Sequence, residues 1–530
     1  MTDSTDIRNK KNWILLGLIF SLGAFLRFYG LTDQSLWFDE VLTVRTAERE
    51  FAGIITDLSV GWNCSPPLYY FMLHLWMKVF GTGELAVRML PALWGLLLIP
   101  AIFYVGSSLF NRNVGLISAY IVAIGEFHIR YSQEARMYTM LALLGLLSMY
   151  FLYKALTTDR KSSWVGYILF TILIIYTHNY GMFITSSGVV FAFICFVTQK
   201  KVYRNFFISL SVIAIGYIPC LLIFHMNQYG TSSLLGWLPS MRLFHVFNTF
   251  LAFSGLSLGS FALNHVPIIA IGVIIFLYFF LTGIFSIKPY KKIFIPYVEA
   301  NMNLILLLCY LLVTLAIPML ISIKQPIFMP DRHSISAWPA FALILGLGLS
   351  KIRGKYILVL SLILITLISS VSWYWYYFVS VKSCDKKIAR FVDSRAREND
   401  VIVFAPEWFD LPVNFYLQTS LKQIGFPERS SKELVVDSEP AERKPDDMIP
   451  IIESRMGNSR GTVFIVCRID DTNLDVQAVK SLYYNKSSKQ ASDTQMMKNL
   501  FDRKLKKIEE VTYERDYDSI NVTVYHTGVR

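Results

Sequence analysis

The chain has 530 residues, 54% of them hydrophobic and only 17% charged. A soluble protein of this length needs far more polar surface, so a soluble enzyme or scaffold is excluded. The net charge of +12 would suit nucleic acid in a soluble protein, but the basic residues fall in short clusters between apolar runs. Orientation in a bilayer explains them, and no nucleic-acid partner is expected.

Arg8, Lys10 and Lys11 precede an apolar stretch from Trp13 to about Leu31. It is long and no small-x-small cleavage site follows, so it reads as an uncleaved first span. A span needs roughly 20 apolar residues. Eleven are expected, near 12–31, 86–108, 114–130, 137–155, 164–180, 182–199, 206–225, 264–286, 302–322, 334–350 and 355–377. Segments 67–80 and 242–259 are apolar but interrupted, and read as interfacial or re-entrant helices, either of which could span.

With the N-terminus in the cytoplasm, the inner loops carry Arg112; Lys154, Arg160 and Lys161; Lys200, Lys201 and Arg204; Lys288, Lys291 and Lys292; and Lys351, Arg353 and Lys355. This is the positive-inside pattern repeated at every inner loop. An odd number of spans places the C-terminal region outside. Three external segments are then rich in polar residues: 32–85, Glu126–Arg136 and Ser322–His333.

In the first external segment, Trp37 and Phe38 precede Asp39 and Glu40. A carboxylate beside a membrane-embedded cavity can serve as general base or hold a metal. The same four residues also fit an aromatic belt followed by solvated acids. Pro66 and Pro67 stiffen the entry to an apolar helix beginning with Leu68, Tyr69 and Tyr70, which could shape a substrate groove or simply start a helix. The turn Arg130-Tyr131-Ser132-Gln133-Glu134-Ala135-Arg136-Met137-Tyr138 is densely polar. Its spacing puts Glu134 and Tyr138 on one helical face. Its arginines can bind phosphate or close a local salt-bridge network. His178, within Tyr176–Tyr180, can hydrogen-bond a phosphate or terminate a helix. Arg332 and His333 follow Pro330 and Asp331 just before a span. Arginine there pairs with phosphate oxygens or snorkels to lipid headgroups.

After about residue 380 charges become frequent. Val401–Phe404, Thr462–Cys467 and Asn521–His526 read as strands, and 384–397 and 489–508 as helices. Residues 381–530 therefore form a soluble α/β domain, with Ser430–Met448 as a loop. Asp400, Glu407, Trp408 and Asp410 group within it without forming a catalytic cluster. None of the six cysteines, Cys64, Cys195, Cys220, Cys309, Cys384 and Cys467, forms a CxxC pair. Cys384 and Cys467 are the pair a disulfide could join.

The segment Ser35–Glu40 resembles the first-loop aromatic-Asp-Glu motif of the dolichyl-phosphate-mannose–protein mannosyltransferase superfamily. That superfamily includes the bacterial lipid A aminoarabinose transferases. Pro66–Tyr70, Tyr131–Tyr138, Tyr176–Tyr180 and Phe328–His333 resemble further segments of the family in the same order. The likeness covers the membrane region, residues 1–380, and extends to Asp400–Tyr416. It implies a polytopic α-helical GT-C fold with a catalytic cavity at the external face. It also implies a polyprenyl-phosphate sugar donor and inversion at the anomeric carbon. The catalytic acid maps onto Asp39 in the external loop 32–85, with Glu40 beside it and Glu134 as the acid of the second loop. A divalent ion shared by Asp39 and Glu134 belongs to the same implication. Arg136, Arg332, His333, His178 and Tyr138 take the donor phosphate, and Tyr69 and Tyr70 the groove. His333 stands where the family often has tyrosine.

No glycine-rich nucleotide fingerprint is present, as a lipid-linked donor requires. The expected partners are that donor, membrane lipids and a lipid, glycan or protein acceptor. The expected location is a prokaryotic plasma membrane. Other readings are a lipid-linked sugar flippase, a ligase using pyrophosphate-linked oligosaccharides and a non-catalytic scaffold. Paired halves and broken helices, common in transporters, are not evident.

Overall fold

A bilayer offers no hydrogen-bond partners to a backbone, so an apolar segment crossing it must satisfy its own N–H and C=O groups as a helix. The computed structural model describes residues 2–60, 65–199, 204–225, 238, 240–256, 266–290, 293–298, 301–397, 400–405, 410–426, 448–456, 461–469, 488–515 and 519–526. The chain divides into two units. One comprises Met1–Leu31, Ala47–Ser59 and Cys64–Val379; the other comprises Thr32–Thr46, Val60–Asn63 and Ser380–Arg530.

The helices run in chain order as α1 (Thr2–Phe28), α2 (Phe38–Glu48), α3 (Phe51–Val60), α4 (Leu68–Phe80), α5 (Glu84–Leu109), α6 (Arg112–Ile124), α7 (Glu126–Ser132), α8 (Tyr138–Thr158), α9 (Lys161–Thr177), α10 (Gly181–Gln199), α11 (Arg204–Cys220), α12 (Leu243–Phe253) and α13 (Val266–Ile284). Strands β1 (Phe285–Tyr290) and β2 (Ile293–Val298) intervene before α14 (Met302–Ile321), α15 (Trp338–Ser350) and α16 (Lys355–Tyr374). Polar caps set several boundaries. Asn111 Oδ1 accepts from the backbone of Asn113 and Val114 at the start of α6, and Asn301 Oδ1 accepts from Asn303 N at the start of α14. Asp159 ends α8 in the left-handed conformation, and its carboxylate accepts from Trp164 Nε1 at 2.8 Å.

Among the described residues eight helices, not eleven, are long and apolar enough to cross a membrane. The other three expected spans stand on shorter helices: α6 and α15 with 13 residues each, and α9 with 17. Each helix stops where polar residues begin. α6 breaks at Gly125 ahead of Glu126, α9 ends at His178, and α15 starts only after a 3-10 turn over His333–Ser336. Thirteen residues rise roughly 20 Å, short of a hydrocarbon core of about 30 Å. The interrupted segments form the short helices α4 and α12; residues 257–259 lie outside the described ones. A further difference is the antiparallel hairpin of β1 and β2, pairing Phe285 with Val298 and Tyr290 with Ile293, where only a basic loop was expected. Lys291 and Lys292, between its strands, are not described.

The second unit contains α17 (Asp385–Asp393), β3 (Val401–Ala405), α18 (Asp410–Tyr416), β4 (Lys422–Gly425), α19 (Met448–Met456), β5 (Thr462–Ile469), α20 (Ser488–Lys504), β6 (Lys506–Glu514) and β7 (Ser519–His526). The open sheet has the order β4-β3-β5-β7-β6, with β3 parallel to β4 and β5 and the last two pairings antiparallel. Every residue of β3 is buried because both sheet faces are covered. Val401, Val403 and Ala405 pack with α19 and α20, while Ile402 and Phe404 pack with α17 and α18. The three expected strands and the helix near 384–397 appear at their expected places, while the helix expected over 489–508 ends at Lys504 and residues 506–508 open β6 instead. The expected loop Ser430–Met448 lies outside the described residues up to Met448, which opens α19, and so do Glu407 and Trp408. Cys467 belongs to the first face and Cys384 to the second, so the sheet separates them and both are free thiols. Asp400 is structural: its carboxylate accepts from Thr462 N at 2.7 Å and Arg397 N at 2.8 Å, tying β3 to β5.

The chain is thus a multi-pass, largely helical membrane protein with a C-terminal open-sheet domain. Its helices approach closely at small residues, as membrane helices do. Where α13 crosses α15, a Cβ on Gly348 would overlap the Phe279 carbonyl oxygen, and one on Gly283 would overlap the Ile344 carbonyl oxygen. Gly348→Val should therefore destabilise the protein by about 1–3 kcal/mol, read as a lower unfolding temperature in detergent. An unchanged temperature would contradict this crossing.

Candidate functional site

The polar turn between α6 and α8 is positioned by exchanged helix-end hydrogen bonds. Arg27, in the last turn of α1 and fully buried, donates to the carbonyl oxygens of Val122 at 2.8 Å and Ala123 at 3.1 Å, the last two residues before Ile124 ends α6. It also donates to His128 Nδ1 at 2.9 Å. Gln133 returns the arrangement. Its Nε2 donates to Arg27 O at 3.1 Å and Tyr29 O at 2.7 Å, while its Oε1 accepts from Tyr376 OH at 3.0 Å. Carbonyls at a helix end lack intrahelical partners, and a cation there also meets the negative end of the dipole.

This turn brings charged residues into a buried setting. Arg130 pairs with Glu126, one helical turn earlier, at 2.6 Å. Arg136 is 8% exposed. Its Nη1 lies 3.5 Å from Tyr70 OH, and its guanidinium stands 5.9 Å from the Tyr138 ring. Glu134 is buried as well. It does not share a helix with Tyr138, because residues 133–137 turn and α8 begins at Tyr138. Tyr69 is buried beside Tyr70, with ring centroids 6.2 Å apart.

Two other external segments meet this turn. Tyr131 OH donates to the Asp331 carbonyl oxygen, and Tyr180 OH donates to Ile327 O at 2.9 Å. The His178 ring lies 6.0 Å from Tyr138 and 6.0 Å from His333, and His333 stacks on Tyr180 at 4.7 Å. Arg136 and Arg332 both act electrostatically on the two histidines, and Arg332 and Arg130 on Asp331. The structure therefore gathers Glu134, Arg136, Tyr138, His178, Arg332 and His333 into one neighbourhood, with Tyr70 at its edge.

The histidines are neutral donors. His178 Nδ1 accepts from Tyr180 N at 3.0 Å, and His333 Nδ1 accepts from Met329 N at 3.0 Å. A neutral ring that accepts at Nδ1 carries its proton on Nε2. Burial first, then the charges of Arg136 and Arg332, hold His178 down to about 3. Burial, His178 and the same arginines hold His333 well below the usual histidine range.

Sequence reasoning passed over Asp331. Its Oδ1 is buried and has no hydrogen-bond partner among the described residues. Burial raises its carboxyl above the usual range against the pull of Arg332 and Arg130. It also left the partner of Arg130 open, although Glu126 and Arg130 stand at helical i,i+4 spacing.

Asp39 and Glu40 belong to the second unit, in the first turn of α2. Glu40 is fully buried, and its Oε2 accepts from Trp37 N at 3.3 Å. That is the back-reaching half of a capping box, which satisfies an otherwise orphan donor. Asp39 is half-buried, and its carbonyl accepts from Thr43 Oγ1 at 2.7 Å. Among the described residues no group of three or more His, Cys, Asp or Glu side chains could hold a metal ion.

Residues 64–224 match the family model described as dolichyl-phosphate-mannose-protein mannosyltransferase. That stretch includes the turn 126–138 and His178 but neither Asp39 nor Arg332. No curated protein matches the chain in sequence. In structure it is similar to ArnT from Cupriavidus metallidurans in the apo state, with a TM-score of 0.58 at 11% identity over 97% of this chain and 98% of that one. ArnT bound to undecaprenyl phosphate gives a TM-score of 0.56 at 13% identity, covering 96% and 98%. The oligosaccharyltransferase AglB from Archaeoglobus fulgidus, in complex with an inhibitory peptide and a dolichol-phosphate, gives 0.50 at 13% identity, covering 97% and 74%. The chain shares its fold with these proteins.

Because the fold keeps His178 neutral, the unfolded chain takes up a proton that the folded chain refuses. This makes stability fall as pH drops from 6.5 toward about 3. His178→Asn should flatten the fall in unfolding temperature between pH 6.5 and 4 relative to the native chain. Equal slopes would show that His178 is charged in the fold.

Proposed function

We propose that this chain is an inverting glycosyltransferase. It moves a sugar from a polyprenyl monophosphate to a lipid, glycan or protein acceptor at the extracytoplasmic face of a prokaryotic plasma membrane. The carrying observation is the meeting of Arg136, Arg332 and two neutral histidine donors in one partly buried neighbourhood. Arginine forks match phosphate oxygens, and neutral imidazoles add hydrogen bonds without further charge. The presence of polyprenyl phosphates in solved proteins of the same fold supports that donor class.

In this reading Asp39 takes the proton of the acceptor nucleophile as it attacks the anomeric carbon. The bond from that carbon to the phosphate oxygen breaks, and the polyprenyl phosphate leaves with the electron pair. A phosphate leaving group needs charge stabilisation more than protonation, which falls to Arg332 and Arg136, with His178 and His333 as donors. A single displacement inverts the anomeric centre. Glu40 caps α2, so the base is Asp39 rather than its neighbour. Glu134 orients Arg136, and Tyr69 and Tyr70 line the groove. Residues 1–380 carry the catalytic machinery and residues 381–530 stand outside, as basic clusters on the opposite loops imply.

The test is transfer from radiolabelled polyprenyl-phosphate sugars in nanodiscs, with a source lipid extract as acceptor. The native chain should transfer label, and Asp39→Asn should lose about 100-fold or more of that rate. Arg332→Met should lower it comparably. If every donor stays intact while the chain is folded, the monophosphate reading falls, and pyrophosphate-linked donors become the alternative. Label that crosses leaflets without bond cleavage would establish transport instead.

A further inference from the structure

Residues 35–37, immediately before α2, belong to no helix or strand. Trp37 is tied locally to α2, its carbonyl accepting from Glu40 N and Val41 N and its N–H donating to Glu40 Oε2, while before it Leu36 is fully buried and Ser35 nearly so. Three consecutive residues, Gln34, Ser35 and Leu36, are hydrogen-bonded to the C-terminal domain, and the ring of Trp37 meets a lysine of it. Gln34 uses both ends of its amide: Nε2 donates to Ser380 O at 2.9 Å, and Oε1 accepts from Lys382 N at 3.0 Å. Ser35 Oγ accepts from Lys386 N at 3.1 Å, satisfying an otherwise orphan donor in the first turn of α17. Leu36 N donates to Tyr416 OH at 2.6 Å. The Trp37 ring lies 4.7 Å from Lys382 Nζ.

A second hold acts farther along α2. Arg45 stands 5.7 Å from the ring of Phe415. Phe415 and Tyr416 are consecutive at the end of α18, so one short helix touches both the lead-in to α2 and its last turn. Lys386, whose backbone serves Ser35, also stands 5.8 Å over the Tyr416 ring. These contacts bracket Asp39, which lies three residues beyond Leu36.

We propose that the C-terminal domain positions the general base, with Tyr416 and Gln34 as the positioning residues that fix the start of α2. This rests on the reading of Asp39 as base. The domain then has a catalytic consequence without supplying a group to the reacting atoms. A base displaced by a fraction of an ångström loses rate while substrate binding elsewhere is retained.

The experiment uses the full chain in nanodiscs and the radiolabelled undecaprenyl-phosphate sugar that the native chain turns over. Tyr416→Phe and, as a second variant, Gln34→Leu should each lower kcat by about tenfold. The donor KM should move less than about twofold. Arg395→Ala, which breaks an exposed pair with Glu509, should leave kcat unchanged. Each positioning variant is then combined with Asp39→Asn. Two groups acting through one step are not additive, so the double variants should be no slower than Asp39→Asn alone. An equal loss in both backgrounds would show a purely structural role and overturn the proposal. So would unchanged kcat in Tyr416→Phe and Gln34→Leu when Asp39→Asn is inactive; that outcome leaves the base assignment standing. Full transfer by Asp39→Asn, or no transfer by the native chain, would overturn the base reading and the positioning proposal with it.

Discussion

A fully buried guanidinium organises the membrane unit. Arg27 has no exposed surface, and it spends its donors on the end of α6, on its own helix and on His128. In hydrocarbon an unsatisfied carbonyl costs several kcal/mol. A helix can end inside the bundle only if something else satisfies its last carbonyls. Arg27 lets α6 stop at Ile124, and Gln133 does the same for α1. The chain between them is therefore free to turn, and that turn carries Glu126, Arg130, Glu134 and Arg136.

The charges in that neighbourhood are close to balanced. Arg130, Arg136 and Arg332 face Glu126, Glu134 and Asp331, and the two histidines are neutral. The Glu126 pair already takes up much of Arg130. Arg136 and Arg332 both act electrostatically on the histidines, which suits them to an incoming anion, and Arg332 also lies within the field of Asp331. Charge fixed in place before the ligand arrives is what stabilises a leaving phosphate.

Much of this was legible from periodicity and composition. The strand Val401–Ala405 alternates between two covered faces, so its five-residue apolar run could be read directly. The eight long helices were equally plain. The span count failed where a polar residue interrupts an apolar window. A hydropathy window over 114–130 averages across Gly125 and cannot know that Arg27, nearly a hundred residues earlier, completes the broken helix. The hairpin at 285–298 carries aromatic and β-branched residues that signal strands, but its basic residues read first as an orientation signal. Pairings such as Tyr131 with the Asp331 backbone join residues 200 apart in sequence. The motif residues were visible as types, while their partners needed the fold. Glu40 shows the same limit: adjacent carboxylates look equivalent in sequence, and only the hydrogen bond to Trp37 N separates a capping acid from its neighbour.

The central claim is that Arg136, Arg332, His178 and His333 form a phosphate site. An experimental structure of the full chain in nanodiscs with undecaprenyl phosphate would test it most directly. The claim predicts phosphate oxygens within hydrogen-bond distance of Arg332 and at least one of Arg136, His178 and His333. A phosphate held elsewhere, with these four side chains unchanged and untouched, would contradict it.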